Sequence, residues 1–586
     1  MKNLMNYIII AVILFSSSCS EEFLEPKPKS FFAPENIFVD KTGFESLLVT
    51  MRKNLVSEVS GYKHFISHQV AASELGAPLL QFDFYNLTPS TDRYQQFVNQ
   101  INTIYRFVKD ANVAISRIDD IEWASQEERD QVLAEALWHR AYWYYRLVHN
   151  YGDVPFVNGE VTSPRLDFST HSREAIFDKI TSDLEFAAPK LPVNAVPGAI
   201  SQGAGYHLLS KVHLANMNFD GAINASTQVI NSGKYQLMRN RFGEDVNDPK
   251  RNVIWDLHRP NNKNHAQNTE TILAIVDRFE DPDGAKTAGS YSMRHYAASW
   301  WHSVNRDSQG EIGFVKAGIQ FDTLGNGNPD IAASNYHSYD IWEEFGHNWR
   351  TTPDLRRVDI NWVDKHELLY NNPNSVNFGE PWRGEWMGNP SDSVYTAFAW
   401  PHYKVYNPQQ NPDALPNGGN GDQYIFRLAE SYLIRAEAHL WKNDLQQAAD
   451  DINVVRERAG AILVDPAEVD IDYIFDERAR ELYAEEPRQN ELNRVSYIMA
   501  AMNLRGYSLN TIHENNFFYD RVITHNNLYS INPAPIVLGE SPRMAPFHFQ
   551  WPIDDRMINS NVLGKINQSP GYTGWERNVA PLEIIE

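Results

Sequence analysis

The stretch YSMRHYAASWWHSVNRDSQ sets Tyr291, Tyr296, Trp300 and Trp301 among Arg294, Asn305 and Arg306. Flat rings offer a face on which the C–H surface of a pyranose can stack, and planar polar groups pair with hydroxyls. That chemistry is recognition of a sugar rather than its conversion. Adjacent tryptophans in extended chain point to opposite faces, so at most one of Trp300 and Trp301 is expected to stack. QFDFYN is a second candidate rim. Phe82 and Phe84 share one strand face and are assigned to packing, which leaves Tyr85 to stack with Asp83 and Asn86 beside it. Trp382 and Trp386 form a third, weaker pair.

Catalysis has less to stand on. Glycoside hydrolysis needs two carboxylates about 5–10 Å apart, and spacing alone singles out no such pair among 75 Asp and Glu. Neither G-x-S-x-G nor H-E-x-x-H occurs. His64 and His68 have the i, i+4 spacing of metal ligands, but Phe65 stands where a metalloprotease needs Glu, so a plain helix face is expected. Asp322, Asn326, Gly327 and Asp330 are spaced as in a calcium loop, yet Leu324 and Ala333 occupy two ligand positions. A turn stabilised by Asn and Asp is the better reading. The lone Cys19 allows no internal disulfide, cysteine-based zinc site or Fe–S cluster. No catalytic residue, metal or cofactor is expected.

These residues need a scaffold, and helical periodicity supplies it. From Ala134 to Gly152, Leu137, Ala141, Tyr144, Tyr145 and Val148 fall on one helix face. Gly152 is a C-cap candidate, with Pro155 soon after. Ala175 to Leu184 and Leu208 to Ile230 also read as helical. YHLLSKVHLANMNFDGAINASTQVI, from Tyr206, aligns with YLIRAEAHLWKNDLQQAADDINVV, from Tyr432. At one offset Leu208 meets Ile434, Leu214 meets Leu440, Phe219 meets Leu445, Ala222 meets Ala448 and Val229 meets Val455. Each copy is a helix, a polar turn and a second helix entered near a small Ala, like a tetratricopeptide hairpin. Between about 240 and 425 Gly, Pro, Asn, Asp and aromatics crowd together, which predicts loops and short strands. An insertion of that length is expected to carry a binding face. The tail FQWPIDDRMINSNVLGKINQSPGY reads as irregular, packed chain.

The N-terminus has Lys2, an apolar run from Tyr7 to Phe15, then Ser16, Ser17 and Ser18 before Cys19. Basic start, apolar centre and small residues are the layout of a secretory signal, too short for a mature spanning helix. It resembles a bacterial lipoprotein signal, in which Cys19 is lipidated and becomes the first mature residue; Ser16 stands where that motif usually has Leu. Ser20-Glu21-Glu22 is similar to a surface-export signal. The expected division is a signal at 1–18, lipidated Cys19 and a Pro-rich tether to 36, and a single body over 37–586. A net charge of −23 disfavours nucleic acid, whose binding draws on Lys and Arg.

Five further stretches carry a resemblance to a family. AEALWHRAYWYYRLVHNYGDVPFV (Ala134–Val157), INSGKYQLM (Ile230–Met238), FRLAESYLIRAEAH with DDINVVRERAG (Phe426–Gly460), FDERARELYAEEPRQNEL (Phe475–Leu492) and WPIDDRMINSN with QSPGY (to Tyr572) come in family order. The chain resembles the SusD/RagB-like outer-membrane nutrient-binding lipoproteins of Bacteroidetes. It departs from their pattern at Glu486-Pro487, Gln489-Asn490 and Arg556-Met557. The resemblance implies a mainly α fold, with tetratricopeptide-like hairpins as scaffold and a less regular face for oligosaccharide. It also implies a SusC-like TonB-dependent transporter as partner, with the chain lipid-anchored on the outer membrane and facing the exterior. Capture of peptides or glycopeptides is the alternative within the family, and a surface glycoside hydrolase the alternative outside it.

Overall fold

A computed structural model describes residues 38–62, 64–78, 87–90, 95–329, 331–388, 396–529 and 543–586. Cys19 and the tether lie outside the described residues, as do Asp83, Tyr85, Asn86 and Asp330. The class is mainly helical. The principal helices are α1 (Lys41–Asn54), α2 (Gln95–Arg117), α3 (Gln126–Tyr151), α4 (Arg173–Ala187), α5 (Gln202–Ala215), α6 (Phe219–Ile230), α7 (Leu428–Trp441), α8 (Leu445–Arg458), α9 (Ile471–Leu482) and α10 (Arg488–Ala501). One hydrophobic cluster runs from Leu55 to Ile566 and takes in residues from most of these helices. No helix among the described residues is long and apolar enough to cross a membrane.

Local chemistry sets the helix ends. Ser125 caps α3 by accepting from the Glu128 N–H, and Gly152 closes it with φ 75°. That left-handed geometry favours glycine, and the space does too: a Cβ there would meet the Gln550 amide at 2.3 Å.

The repeat seen in the sequence is geometric. α5–α6 and α7–α8 are two helix hairpins, and their turns match residue for residue. Met217 and Asn443 take φ 57° and 62°. The next residues, Asn218 and Asp444, cap the second helices through their side chains. α6 packs on α7. Leu214, Ala222, Ile434 and Ala438 are buried together there, the small alanines letting the helices close up.

The segment from 240 to 425 folds as short helices, turns and short strands. Strand β2 (Thr271–Ile275) pairs antiparallel with β4 (Gln423–Arg427) and so draws the two ends of the segment together. β1 (Gly76–Pro78) pairs with β3 (Ile331–Ala333) and fixes the middle of the segment to the N-terminal part.

A lattice of buried ions ties the segment to the scaffold. Arg427 binds Glu270, Glu481 and Glu485, and Arg458 binds Glu270 and Glu481. Arg356 bridges Asp354 to Glu477 and Glu481 at 2.7–3.0 Å. Burial alone would raise the Glu477 carboxyl, but Arg356, Arg456 and Arg480 overcome it and hold it at about 2. Glu74 is likewise held at about 2 against burial by Arg488 and Arg521. Removing one partner from such a cluster would strand a buried charge, so the lattice constrains how the pieces fit.

The departures from the family pattern are absorbed by hydrogen bonds. Gln489 donates to the His548 and Phe549 carbonyls at 3.0 and 3.2 Å. The Asn490 N–H donates to the Gln69 side-chain oxygen at 2.9 Å. Arg556 folds back on Asp554 at 2.7 Å.

Candidate ligand-binding face

The YSMRHY stretch is positioned by the Gly-rich run at 417–420. Tyr291 is left-handed at φ 57° and starts the short helix Ser292–His295. The Ser290 and Tyr291 N–H groups donate to the Gly419 and Gly418 carbonyls, and the Arg294 N–H donates to the Asn417 carbonyl at 2.9 Å. Gly418 has φ 111°, and a Cβ on it would lie 2.8 Å from the Ser292 nitrogen. Any side chain there would push the two segments apart. From the other side Asn328 donates to the Arg294 carbonyl at 3.0 Å.

The rings then gather from distant parts of the chain. Tyr62, 42% exposed, meets the edge of Tyr291 at 5.9 Å and stacks on His295 at 5.5 Å. The Arg294 guanidinium lies over the Tyr62 ring at 5.5 Å. Nearby in the chain, Trp301 is half-buried, and the Lys316 ammonium sits 3.4 Å from its ring centre. The Trp301 indole N–H is buried with no acceptor among the described residues. Partial burial, and then the positive charge of Arg294, pull Lys316 below its ordinary value.

Three expected site residues belong to the core instead. Trp300 is fully buried, donates to the Gly325 carbonyl at 3.1 Å and packs on Phe314 and Phe321. Tyr296 is buried against His64 and Tyr483, and burial pushes its phenol well above the usual value. Asn305 is buried, donates to the Trp300 carbonyl at 2.8 Å and accepts from the Trp382 indole at 3.2 Å. Arg306 reaches the Gly310 carbonyl at 3.4 Å within its own turn. Of the expected set, Tyr291, Arg294 and Trp301 are partly exposed; Tyr62 lies against Tyr291 and Arg294, and Lys316 against Trp301.

The model of the SusD family matches residues 239–572, more than half of the chain. The chain belongs to the SusD family. A second family model, described as starch-binding and associating with the outer membrane, matches residues 22–214. SusD-like protein P25 of Formosa agariphila is 22% identical over 526 residues, covering 84% of this chain and 90% of that one. The crystal structure of a SusD-like protein from Bacteroides fragilis superposes with a TM-score of 0.64 at 18% identity, covering 92% of this chain and 99% of that one. The surface glycan-binding protein A of Bacteroides fluxus gives 0.63 at 16% identity, covering 91% and 100%. These two likenesses establish a shared fold.

Other candidates of this SusD-family chain separate from the face. Trp382 is buried, while Trp386 stacks on Tyr370 at 5.9 Å with Arg383 at 5.6 Å from its ring. Arg383 has Glu385 at 3.7 Å, so that patch is charge-matched. His64 and His68 are both buried, and His64 is pushed well below its ordinary value by burial and by His295 and His68. Among the described residues no group of His, Cys, Asp and Glu is placed to hold a metal. Asp322 lies in the short helix Gly318–Leu324 rather than in a loop. Tyr62 and Lys316 were not legible as site residues, because neither stands beside another candidate in the chain.

Proposed function

We propose that this SusD-family chain captures oligosaccharides at the cell surface and passes them to a SusC-like TonB-dependent transporter, without a chemical step. Cys19 carries its lipid anchor in the outer membrane, and the body faces the exterior. The observation that carries the reading is the packing of Tyr62 against Tyr291 and Arg294, with the partly exposed Trp301 under Lys316 further along the same 240–425 segment. Rings that stack and groups that bond to hydroxyls are what a sugar requires. The description of the second matching family and the name of the B. fluxus protein agree with a surface, glycan-binding role. Anchoring by more than one acyl chain is stable, each buried CH₂ contributing about 0.8 kcal/mol.

Calorimetry of the chain from Ser20 onward against plant, host and microbial glycans tests this, with the ligands checked by chromatography afterwards. Binding with intact ligand is the expected result. Binding with degradation would make the protein a hydrolase. Co-purification with a SusC-like barrel from the native membrane tests the delivery step.

A further inference from the structure

Arginine in this protein is as a rule matched by carboxylate. Arg356, Arg427, Arg458, Arg488 and Arg494 each contact Asp or Glu at ion-pair distance. With 75 Asp and Glu against 52 Lys and Arg, a cation has acids to spare. Arg294 and Lys316 are among the exceptions, as are Arg259 and Arg350, which lie on Trp255 and Trp349. Neither Arg294 nor Lys316 has a carboxylate at ion-pair distance among the described residues. Each instead rests on an aromatic ring of the candidate face: Arg294 over Tyr62 at 5.5 Å, and Lys316 over Trp301 at 3.4 Å.

We propose that this face selects anionic oligosaccharides, Arg294 and Lys316 pairing with a carboxylate or sulfate of a sugar whose ring stacks on Trp301 or Tyr62. The inference rests on the glycan-capture reading and names its substrate class. Lys316 occupies the indole face in the free protein. A neutral sugar that stacks there displaces the ammonium and offers it only hydroxyls. An acidic sugar takes the ring and supplies a charged acceptor to the displaced cation, and charge-assisted bonds are the stronger ones. The Trp386 patch is an internal contrast, since Arg383 there already has Glu385.

The test is calorimetry of the purified protein with matched pairs: oligogalacturonates and their carboxyl-reduced counterparts, and sulfated galactan oligosaccharides and their desulfated counterparts. The charged member of at least one pair is expected to bind about tenfold tighter or more at low salt. The advantage shrinks as ionic strength rises. The pair that shows it distinguishes carboxylate from sulfate. Lys316→Gln and Arg294→Gln each lose most of the advantage with thermal stability unchanged, while Arg383→Gln changes nothing. Equal affinity within both pairs overturns the charge assignment and leaves glycan capture standing. A charge preference untouched by Lys316→Gln and Arg294→Gln overturns the assignment to these residues. Binding to no glycan in these pairs or in the broader panel overturns both readings.

Discussion

The interior lattice and the aromatic face use the same side chains to opposite ends. In the interior, Arg356, Arg427 and Arg458 are held by Asp354, Glu270, Glu477 and Glu481. On the face, Arg294 and Lys316 lie on rings with no carboxylate at ion-pair distance among the described residues. The aromatics divide the same way. Trp300 fills the core with its indole N–H bonded, whereas Trp301, its neighbour in the chain, is half-buried under a lysine. Satisfaction separates a structural residue from a recognition residue more cleanly than residue type does.

Substitutions can break or sharpen that contrast. The largest effect is expected from Glu477→Ala, which takes one carboxylate each from Arg356, Arg456 and Arg480 in the interior and leaves their positive charge under-compensated. A loss of about 3–5 kcal/mol is expected in denaturant unfolding, and a loss below 1 kcal/mol would mean that water reaches the lattice. Trp300→Ala is expected to cost a similar amount, about 3–5 kcal/mol, through the cavity it leaves. Trp301→Ala should cost much less stability and act on binding instead. Identical melting curves for the two variants would erase the core-versus-face distinction.

Acid is the next lever. Glu74 and Glu477 are held at about 2 by arginines, below the unfolded value of about 4.3. Because the folded state depresses these groups, their contribution is whole above the unfolded value and is lost as pH falls toward 2. Thermal melts from pH 6 to pH 2 should decline over that window, and more shallowly in Glu477→Gln. A melting temperature flat down to pH 2 would contradict the ion-lattice account. A smaller loss of stability than in Glu477→Ala or Trp300→Ala is expected from Gly418→Ala, about 1–3 kcal/mol of backbone strain. That variant should also loosen Tyr291 and Arg294 and weaken glycan binding, which calorimetry checks.

Much of the scaffold was legible because helices repeat in sequence as they do in space. The offset that aligned Leu208 with Ile434 also aligned Met217 with Asn443, whose left-handed turns match. The Gly152 stop was legible for a similar local reason. The site was legible only in part, since its composition is written in one stretch but its geometry is not. YSMRHYAASWW set Tyr291, Arg294 and Trp301, which the structure leaves partly exposed, beside Tyr296 and Trp300, which it buries. Which rings turn inward depends on Phe314, Phe321, Gly325 and Tyr483, all distant in the chain. Tyr62 and Lys316 reach the face through tertiary contacts alone. The buried charges of FDERARELYAEEPRQNEL look like a solvated helix surface in sequence, and only their partners on other elements reveal them as interior.

The measurement that bears most directly on the capture face is a calorimetric titration of Trp301→Ala beside the parent protein, with a glycan the parent binds. The expected result is affinity weakened about fivefold to tenfold by loss of the stacking ring, with a nearly unchanged melting temperature. Full affinity in the variant would contradict the placement of the sugar on this face.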